Sequence, residues 1–155
     1  MTVYRERLWA APWLFVATAL VIPACIIVFA PINMSVGIVS AVVIYAACVV
    51  GLIVGSPTIE VTADEFLAGK AHIERRYLGL AEGFDGTEAS LQRGRLLDAR
   101  AWLLIRGWVG GVVRVVVLDE DDPAPYWLVS TRHPSELARA LNDRAGDTMP
   151  PAPHS

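Results

Sequence analysis

The side chains able to do chemistry are few, and their spacing does not build a reaction centre. The chain carries three histidines, His72, His133 and His154. Ser130 and His133 are close in sequence, but a Ser–His–acid triad needs a third member to orient the imidazole, and the sequence suggests none. The zinc-protease, Walker, nucleophile-elbow and CxxC motifs do not occur. We therefore predict a protein that is not an enzyme, with no catalytic residue and no cofactor.

Four consecutive acidic residues at positions 119–122 are the candidate for a metal site. Carboxylate oxygens are the ligands that calcium and magnesium prefer in proteins. The spacing of this run matches no calcium loop, and the run lies between two predicted strands. We interpret it as a solvated turn and predict no metal site.

Tryptophan and arginine supply the remaining pattern, and these residue types dominate protein interfaces. Trp108 follows Arg106 and Gly107 at a predicted strand end, where a large aromatic side chain is often exposed. Trp127 fits a strand and has the alternative of being a core residue. We predict a partner-binding rim that contains four residues: Arg106, Trp108, Trp127 and Arg132.

The elements that position these residues begin with a charge-free segment. Residues 13–54 contain no Asp, Glu, Lys, Arg or His and form two apolar runs, 13–29 and 34–54. A helix of about 20 apolar residues spans the hydrocarbon core of a bilayer. We predict a transmembrane α-helical hairpin over residues 13–55, with a kink at Pro23. A secretion signal ending at Cys25 is the alternative, but the residues that follow Cys25 are apolar.

The hairpin is flanked by residues suited to a membrane surface. In the predicted interfacial N-terminus, residues 1–12, arginine reaches headgroups and tryptophan occupies the boundary between water and hydrocarbon. The predicted anchors are Arg5, Arg7, Trp9 and Trp13. The loop at 30–33 is uncharged, whereas cations flank both helices. The positive-inside rule therefore predicts a two-pass protein of the cell membrane with both termini in the cytoplasm.

Small residues recur along the second run at helical spacing, which lets another backbone approach closely. They are Gly37, Ala41, Ala47, Gly51 and Gly55. We expect this face to pack on the first helix of the same chain. The alternative is a homodimer through Ala47, Gly51 and Gly55.

Residues 56–142 change in composition to mixed charge and short alternating segments. Seven strands are predicted, at about 58–62, 65–68, 71–75, 77–84, 101–105, 112–118 and 126–131. One or two helical turns are expected at 87–92, and an amphipathic helix begins at Pro134. Seven antiparallel strands and one C-terminal helix outline a pleckstrin-homology-like barrel. Residues 143–155 are polar and proline-rich, which predicts a disordered tail.

The charge balance excludes one class of partner and disfavours another. Residues 56–155 hold 11 Lys and Arg against 15 Asp and Glu, a difference of −4, which is unsuited to nucleic acid. The first predicted hairpin carries Glu60, Asp64 and Glu65, which repel phosphate headgroups.

Several motifs resemble an uncharacterised family of small actinobacterial membrane proteins over about residues 4–142. The motifs are Tyr4-Arg5-Glu6-Arg7-Leu8, Pro12-Trp13, Arg106-Gly107-Trp108 and Pro125-Tyr126-Trp127-Leu128-Val129-Ser130-Thr131-Arg132 with Pro134. The resemblance implies a two-helix membrane anchor with a cytoplasmic domain and no assigned activity. The last strand and helix also resemble bacterial pleckstrin-homology-like domains.

Together these features predict a membrane-anchored, non-catalytic interaction or scaffold module. Its partners would be the lipid bilayer and a protein. The alternative is a domain that senses lipid headgroups at the membrane surface.

Overall fold

The computed structural model describes residues 2–143, so most of the predicted tail, 144–155, lies outside the described residues. The chain forms two compact units. One is Trp9–Pro57, and the other joins the residues up to Leu8 with those from Thr58 onward.

The first unit is helical. Its helices are α1 (Pro12–Ala19), α2 (Val21–Phe29) and α3 (Met34–Val54). The interruption at Leu20 follows from Pro23, whose missing N–H leaves the Ala19 carbonyl without its helical donor. The Asn33 side chain caps α3 by accepting from the backbone N–H of Ser35 at 2.9 Å.

Small residues let α2 and α3 pack closely. Gly37 and Ala41 are buried, and a Cβ atom added at Gly37 would lie 3.4 Å from Phe29 Cβ. The expected intramolecular packing is therefore confirmed for this half of the small-residue face. The other half differs, because Gly51 is exposed and has no atom within 4 Å of an added Cβ.

Two helical stretches, Pro12–Phe29 and Met34–Val54, are long and apolar enough to cross a membrane. Within this unit only 6% and 11% of their residues are buried. Most of their apolar side chains therefore face outward from the unit.

The second unit contains two four-stranded sheets. The first sheet is an antiparallel meander of β1 (Thr2–Arg7), β2 (Thr58–Thr62), β3 (Glu65–Ala68) and β4 (Ala71–Glu74). The sequence did not predict β1. Its partner strand β2 comes after all three helices of the first unit.

The second sheet has the order β5-β7-β8-β6. Its strands are β5 (Leu78–Phe84), β6 (Trp102–Leu104), β7 (Gly111–Val117) and β8 (Tyr126–Thr131). Strand β7 runs antiparallel to β5 and β8, whereas β6 pairs with β8 in parallel. The second unit is mainly β with a C-terminal helix, as predicted, but a closed barrel of seven antiparallel strands is not confirmed. The eight described strands form two separate sheets. Strands β6 and β8 can pair in parallel because no hairpin joins them directly: β7 lies between them in the chain.

Two helices cover the sheets. Helix α4 (Gly86–Arg93) agrees with the helical turns predicted at 87–92, and α5 (Pro134–Asn142) agrees with the predicted C-terminal helix. The α5 stripe of Leu137, Ala140 and Leu141 is buried, as its spacing indicated.

The second sheet is buried on both faces over much of its area. One face shares a core with the first sheet and α5, which includes Phe66, Val129 and Leu137. The other face packs Val112 and Leu128 in a smaller cluster with α4. Strand β8 is buried along its whole length for this reason, which explains its nearly continuous apolar sequence.

Candidate functional site

One end of the second sheet brings together most of the residues that the sequence singled out. Strands β5 and β8 end beside the start of β7, where Phe84 pairs with Val112 and Thr131 pairs with Gly111. The loop at 105–110 and the turn at 131–133 lie at this end. We call it the β8 end.

Trp127 does not belong to an exposed rim. It is 5% exposed, and its ring centroid lies 4.3 Å from that of Trp102 and 5.9 Å from that of Phe66. Alternate side chains of a strand point to opposite faces, and Trp127 points to the core shared with the first sheet. The prediction of Trp127 as a rim residue is therefore corrected to a core residue.

Trp108 is half-buried and packs against the same core. Its Nε1 atom is buried without a hydrogen-bond partner among the residues that the structure describes. The loop after β6 turns the indole partly inward, and the role of Trp108 in partner binding stays a prediction.

The loop that carries Arg106 is attached to β8. The Arg106 N–H donates to Ser130 Oγ at 2.9 Å, and its guanidinium donates to the Ile105 carbonyl at 3.1 Å. Ser130 is fully buried. Its hydroxyl therefore holds the loop at 105–110 in place. His133, considered in the sequence as a possible catalytic partner of Ser130, lies beside a different residue.

That neighbour is Glu6, which sequence analysis missed. Its side chain is 9% exposed and accepts hydrogen bonds from Thr131 Oγ1 at 2.5 Å, Tyr4 Oη at 2.8 Å and the Arg132 N–H at 2.9 Å. His133 Nδ1 lies 3.9 Å from Glu6 Oε1. We call this group the Glu6 cluster. It joins β1 to the end of β8 and to the residue preceding α5.

A signal for this cluster was present in the sequence. Tyr4, Glu6 and Leu8 alternate with Arg5 and Arg7, which is the period of a half-buried strand. The arginines made the segment resemble a membrane anchor instead. Arg5 and Arg7 are exposed on β1, opposite Glu60 and Thr58.

The partly buried environment of Tyr4 changes the pKa of its phenol. Burial raises the pKa of the Tyr4 phenol to about 12, against an ordinary value of 10.0. The hydrogen bond to Thr131 opposes this shift, and the hydrogen bond to Glu6 adds to it. The phenol therefore remains a donor to Glu6 over the whole physiological range.

Arg132 is the rim residue that the structure leaves on the surface. It is exposed, and its Nη1 donates to the Arg7 carbonyl at 3.5 Å. Of the other predicted rim residues, Arg106 and Trp108 are half-buried, and partner binding at these positions stays a prediction. Trp9 and Trp13 are also exposed, and their role as membrane anchors stays a prediction together with that of Arg5 and Arg7.

Two other cationic side chains serve the fold. Arg75 donates to the Ala140 carbonyl at 2.7 Å and to the Leu141 carbonyl at 3.1 Å, which satisfies the C-terminal end of α5. Arg93 of α4 donates to the carbonyls of Val109 and Gly110.

The acidic run has the geometry of a turn. Asp119 Oδ1 accepts from the Asp121 N–H at 3.0 Å, and Asp122 Oδ1 accepts from the Ala124 N–H at 2.8 Å. Across residues 2–143, no three His, Cys, Asp or Glu side chains are grouped so as to hold a metal ion.

Comparison with known proteins gives a family and no activity. Residues 3–141 match the model of a family described as "Protein of unknown function (DUF3093)". No curated protein and no solved structure matches the chain. The match spans nearly the whole chain, including both helical stretches and both sheets.

Proposed function

The chain belongs to the DUF3093 family of proteins of unknown function, and we propose that it is a membrane-anchored, non-catalytic interaction module. Its β unit would be presented at the cytoplasmic face of the cell membrane. Its partners would be the bilayer, through the helices, and a protein, through the β unit.

The observation that carries this proposal is the pairing of β1 with β2. Arg7 lies opposite Thr58, and all three helices occur between them in the chain. Paired residues of antiparallel strands have Cα atoms about 5 Å apart. The chain therefore leaves the β unit and returns to it at one place, as a two-pass hairpin requires.

The surface of the helices supports a lipid environment. Large apolar side chains point outward from the unit, among them Val16, Ile27, Val39 and Val43. Contiguous exposed apolar surface of this extent is unfavourable in water, and a bilayer is the medium that removes it. The uncharged loop at 30–33 and the arginines of β1 favour termini on the cytoplasmic side.

The use of the polar side chains supports binding over catalysis. Glu6, Ser130 and Thr131 are buried or nearly so, and each holds two elements together by hydrogen bonds. A reaction centre needs such groups to face a cleft that admits substrate. Here these groups form buried hydrogen bonds between elements of the fold. The outer surface of the β unit is therefore the part that could bind a partner protein.

The arrangement of two sheets and a C-terminal helix supports a pleckstrin-homology-like ancestry as part of this proposal. The parallel β6–β8 pair and the coverage of the second sheet by α4 are departures from that outline. Headgroup sensing, the second candidate, is disfavoured because Glu60, Asp64 and Glu65 surround the first hairpin.

A second copy of the chain is a further candidate partner. Ala47 and Gly51 are exposed on α3, and Gly55 is exposed at its C-terminal cap. They form the part of the small-residue face that extends beyond the buried Gly37 and Ala41. Such a face allows two helix backbones to approach closely in a membrane.

Cysteine labelling in intact cells tests the anchor and its topology. Both native cysteines, Cys25 and Cys48, are replaced by alanine. Single cysteines are then placed at Ile32, in the loop between the helices, and at Lys70, in the β3–β4 turn. We expect a membrane-impermeant maleimide to label position 32 in intact cells and position 70 only after lysis. Labelling of position 70 in intact cells, or release of the protein by alkaline carbonate, contradicts the proposal.

A further inference from the structure

The outer face of the second sheet is covered at one end and bare at the other. Val112 and Leu128 lie in the cluster with α4 and are buried. Further along β7, Val116 is half-buried and Leu118, just past the strand, is 58% exposed. On the neighbouring strand Leu80 is 60% exposed. Leu80 and Leu118 do not belong to the cluster that α4 covers.

An irregularity in β5 creates the bare area. The register with β7 shifts between Leu78 and Ala81, which leaves Gly79 and Leu80 in a bulge. A Cβ atom added at Gly79 would lie 3.2 Å from both Leu118 Cδ2 and Val116 Cβ. The absence of a side chain at Gly79 thus lets Leu118 lie close to the β5 backbone. The Leu118 N–H donates to the Tyr77 carbonyl at 2.7 Å.

The backbone edge beside this area is already closed. The Asn142 side chain accepts from the Ala81 N–H at 2.9 Å and donates to the Ala81 carbonyl at 2.8 Å. It occupies the position that the peptide group of an added strand would take. A ligand at this place would therefore contact side chains and would not extend the sheet.

The charges around the bare area are mainly negative. The acidic turn at 119–122 follows Leu118 directly, and Glu120 and Asp121 in it are exposed. Glu82 is exposed on β5. Two cations of the adjoining strand and turn have partners of their own: the Arg114 guanidinium lies 5.1 Å from the Tyr126 ring centroid, and Arg76 pairs with Glu74 at 2.7 Å.

We propose that this area, the acid-rimmed patch, binds a segment of a partner protein that combines apolar side chains with lysine or arginine. The acid-rimmed patch consists of Leu80, Val116, Leu118 and the turn at 119–122. Apolar side chains would cover the leucines, and basic side chains would pair with the exposed carboxylates. An anionic bilayer surface lacks this complementarity, because it repels the turn. The inference rests on the proposed function and names the surface and the chemistry of its partner.

Site-specific photo-crosslinking of the full-length protein in its native membrane tests the proposal. A photoreactive amino acid is placed at position 80 or 118, with exposed Thr87 on α4 as the matched control position. Mass spectrometry identifies the crosslinked peptide. We expect one partner peptide at both positions, with apolar residues beside Lys or Arg, and no such adduct at position 87.

Charge removal tests the complementarity itself. In the double variant Glu120→Gln and Asp121→Asn, we expect the adduct at position 80 to fall about tenfold, as loss of interfacial charge pairs commonly produces. The adduct should also decrease with added salt in the unmodified protein and much less in the double variant. Both substitutions are at exposed positions and should leave the fold intact.

The inference would be overturned by adducts only with lipid, by adducts only with residues 144–155 of the same chain, or by a partner peptide that lacks basic residues. A photoreactive group at Arg132 distinguishes this failure from failure of the proposed function. Protein adducts at position 132 and none at 80 or 118 would agree with the proposed interaction module but would reject the acid-rimmed patch as its binding surface. Absence of protein adducts at all of these positions would contradict both.

Discussion

Arg7 and Thr58 are paired across the β1–β2 ladder, although the entire helical unit separates them in the chain. The loop between two paired antiparallel strands usually has about 2–5 residues. Here the loop contains α1, α2 and α3. The helical unit is therefore an insertion within a β-hairpin, and the β unit is incomplete when its first strand is removed.

This relationship predicts how the β unit tolerates truncation. A chain that begins at Ser56 lacks β1 and with it Leu8, which is fully buried, and Glu6. Loss of a buried leucine alone costs about 1.5–3 kcal/mol. We expect a lower melting temperature by circular dichroism than for a chain in which a Gly/Ser linker joins Leu8 directly to Thr58. Equal melting temperatures would show that β1 contributes nothing to the unit.

The Glu6 cluster predicts a large effect from a single carboxylate. Glu6→Ala leaves Tyr4, Thr131 and the Arg132 N–H without their acceptor. Unsatisfied buried donors cost about 1–3 kcal/mol each, so we expect strong destabilisation in chemical denaturation of the full-length protein in detergent. The matched control is Glu88→Ala on the exposed side of α4, which should change stability by no more than about 0.5 kcal/mol. Similar losses of stability in the two variants would show that Glu6 does not join β1 to the end of β8.

The raised pKa of Tyr4 predicts a pH dependence at the alkaline end. Folding favours the protonated phenol, so its contribution to stability is complete below pH 10. That contribution is lost as the pH rises from 10 towards the folded-state pKa of about 12. Tyr4→Phe should therefore lose less stability than the unmodified protein between pH 10 and 12. The measurement is the denaturation midpoint at each pH, and parallel pH profiles for the two proteins would contradict it.

Trp108 is now expected to affect stability. Because its indole packs against the main core, Trp108→Ala should destabilise the β unit by about 2 kcal/mol, less than the cost for a fully buried tryptophan. Leu80→Ala is the comparison, since that side chain is 60% exposed and should be nearly neutral. If Trp108→Ala does not change the stability of the β unit either, the ring contributes little to the core. That result would favour Trp108 as a residue of the partner-binding rim.

The two halves of the small-residue face of α3 predict opposite outcomes. Gly37→Ile would place atoms against Phe29 and the backbone of Ile26, and should separate α2 from α3. A Cβ atom added at Gly51 would have no atom within 4 Å, so Gly51→Ile should leave the hairpin intact. If a second copy packs there, Gly51→Ile should lower energy transfer between labelled chains in vesicles. Unchanged transfer would remove the homodimer from the candidate partners.

The sequence by itself determined the elements whose cause is local. Absence of charge over 13–54 and the length of each run predicted the two helical stretches, including α3 at Met34–Val54. Alternation and turn residues predicted β2 to β8, and the stripe that begins at Leu137 predicted α5. Each of these signals lies within a short window, because hydrophobic periodicity and capping act over a few residues.

The candidate site was only partly predictable, because burial depends on which face of a strand meets the core. Trp127 and Trp108 gave interface signals in sequence, yet both pack against the core. Arg132 is exposed, and its role in partner binding stays a prediction. The alternation of Tyr4, Glu6 and Leu8 indicated a half-buried strand. It did not indicate the partners of Glu6, because Thr131 and Arg132 lie far along the chain.

Only the tertiary structure decided which strands are neighbours. It placed β1 beside β2 across the inserted helices, set β6 parallel to β8, and left two sheets in place of one barrel. It also covered one end of the outer face of the second sheet with α4 and left Leu80 and Leu118 exposed. Strand pairing joins residues that are distant in the chain, and its free energy comes from packing that no local window contains.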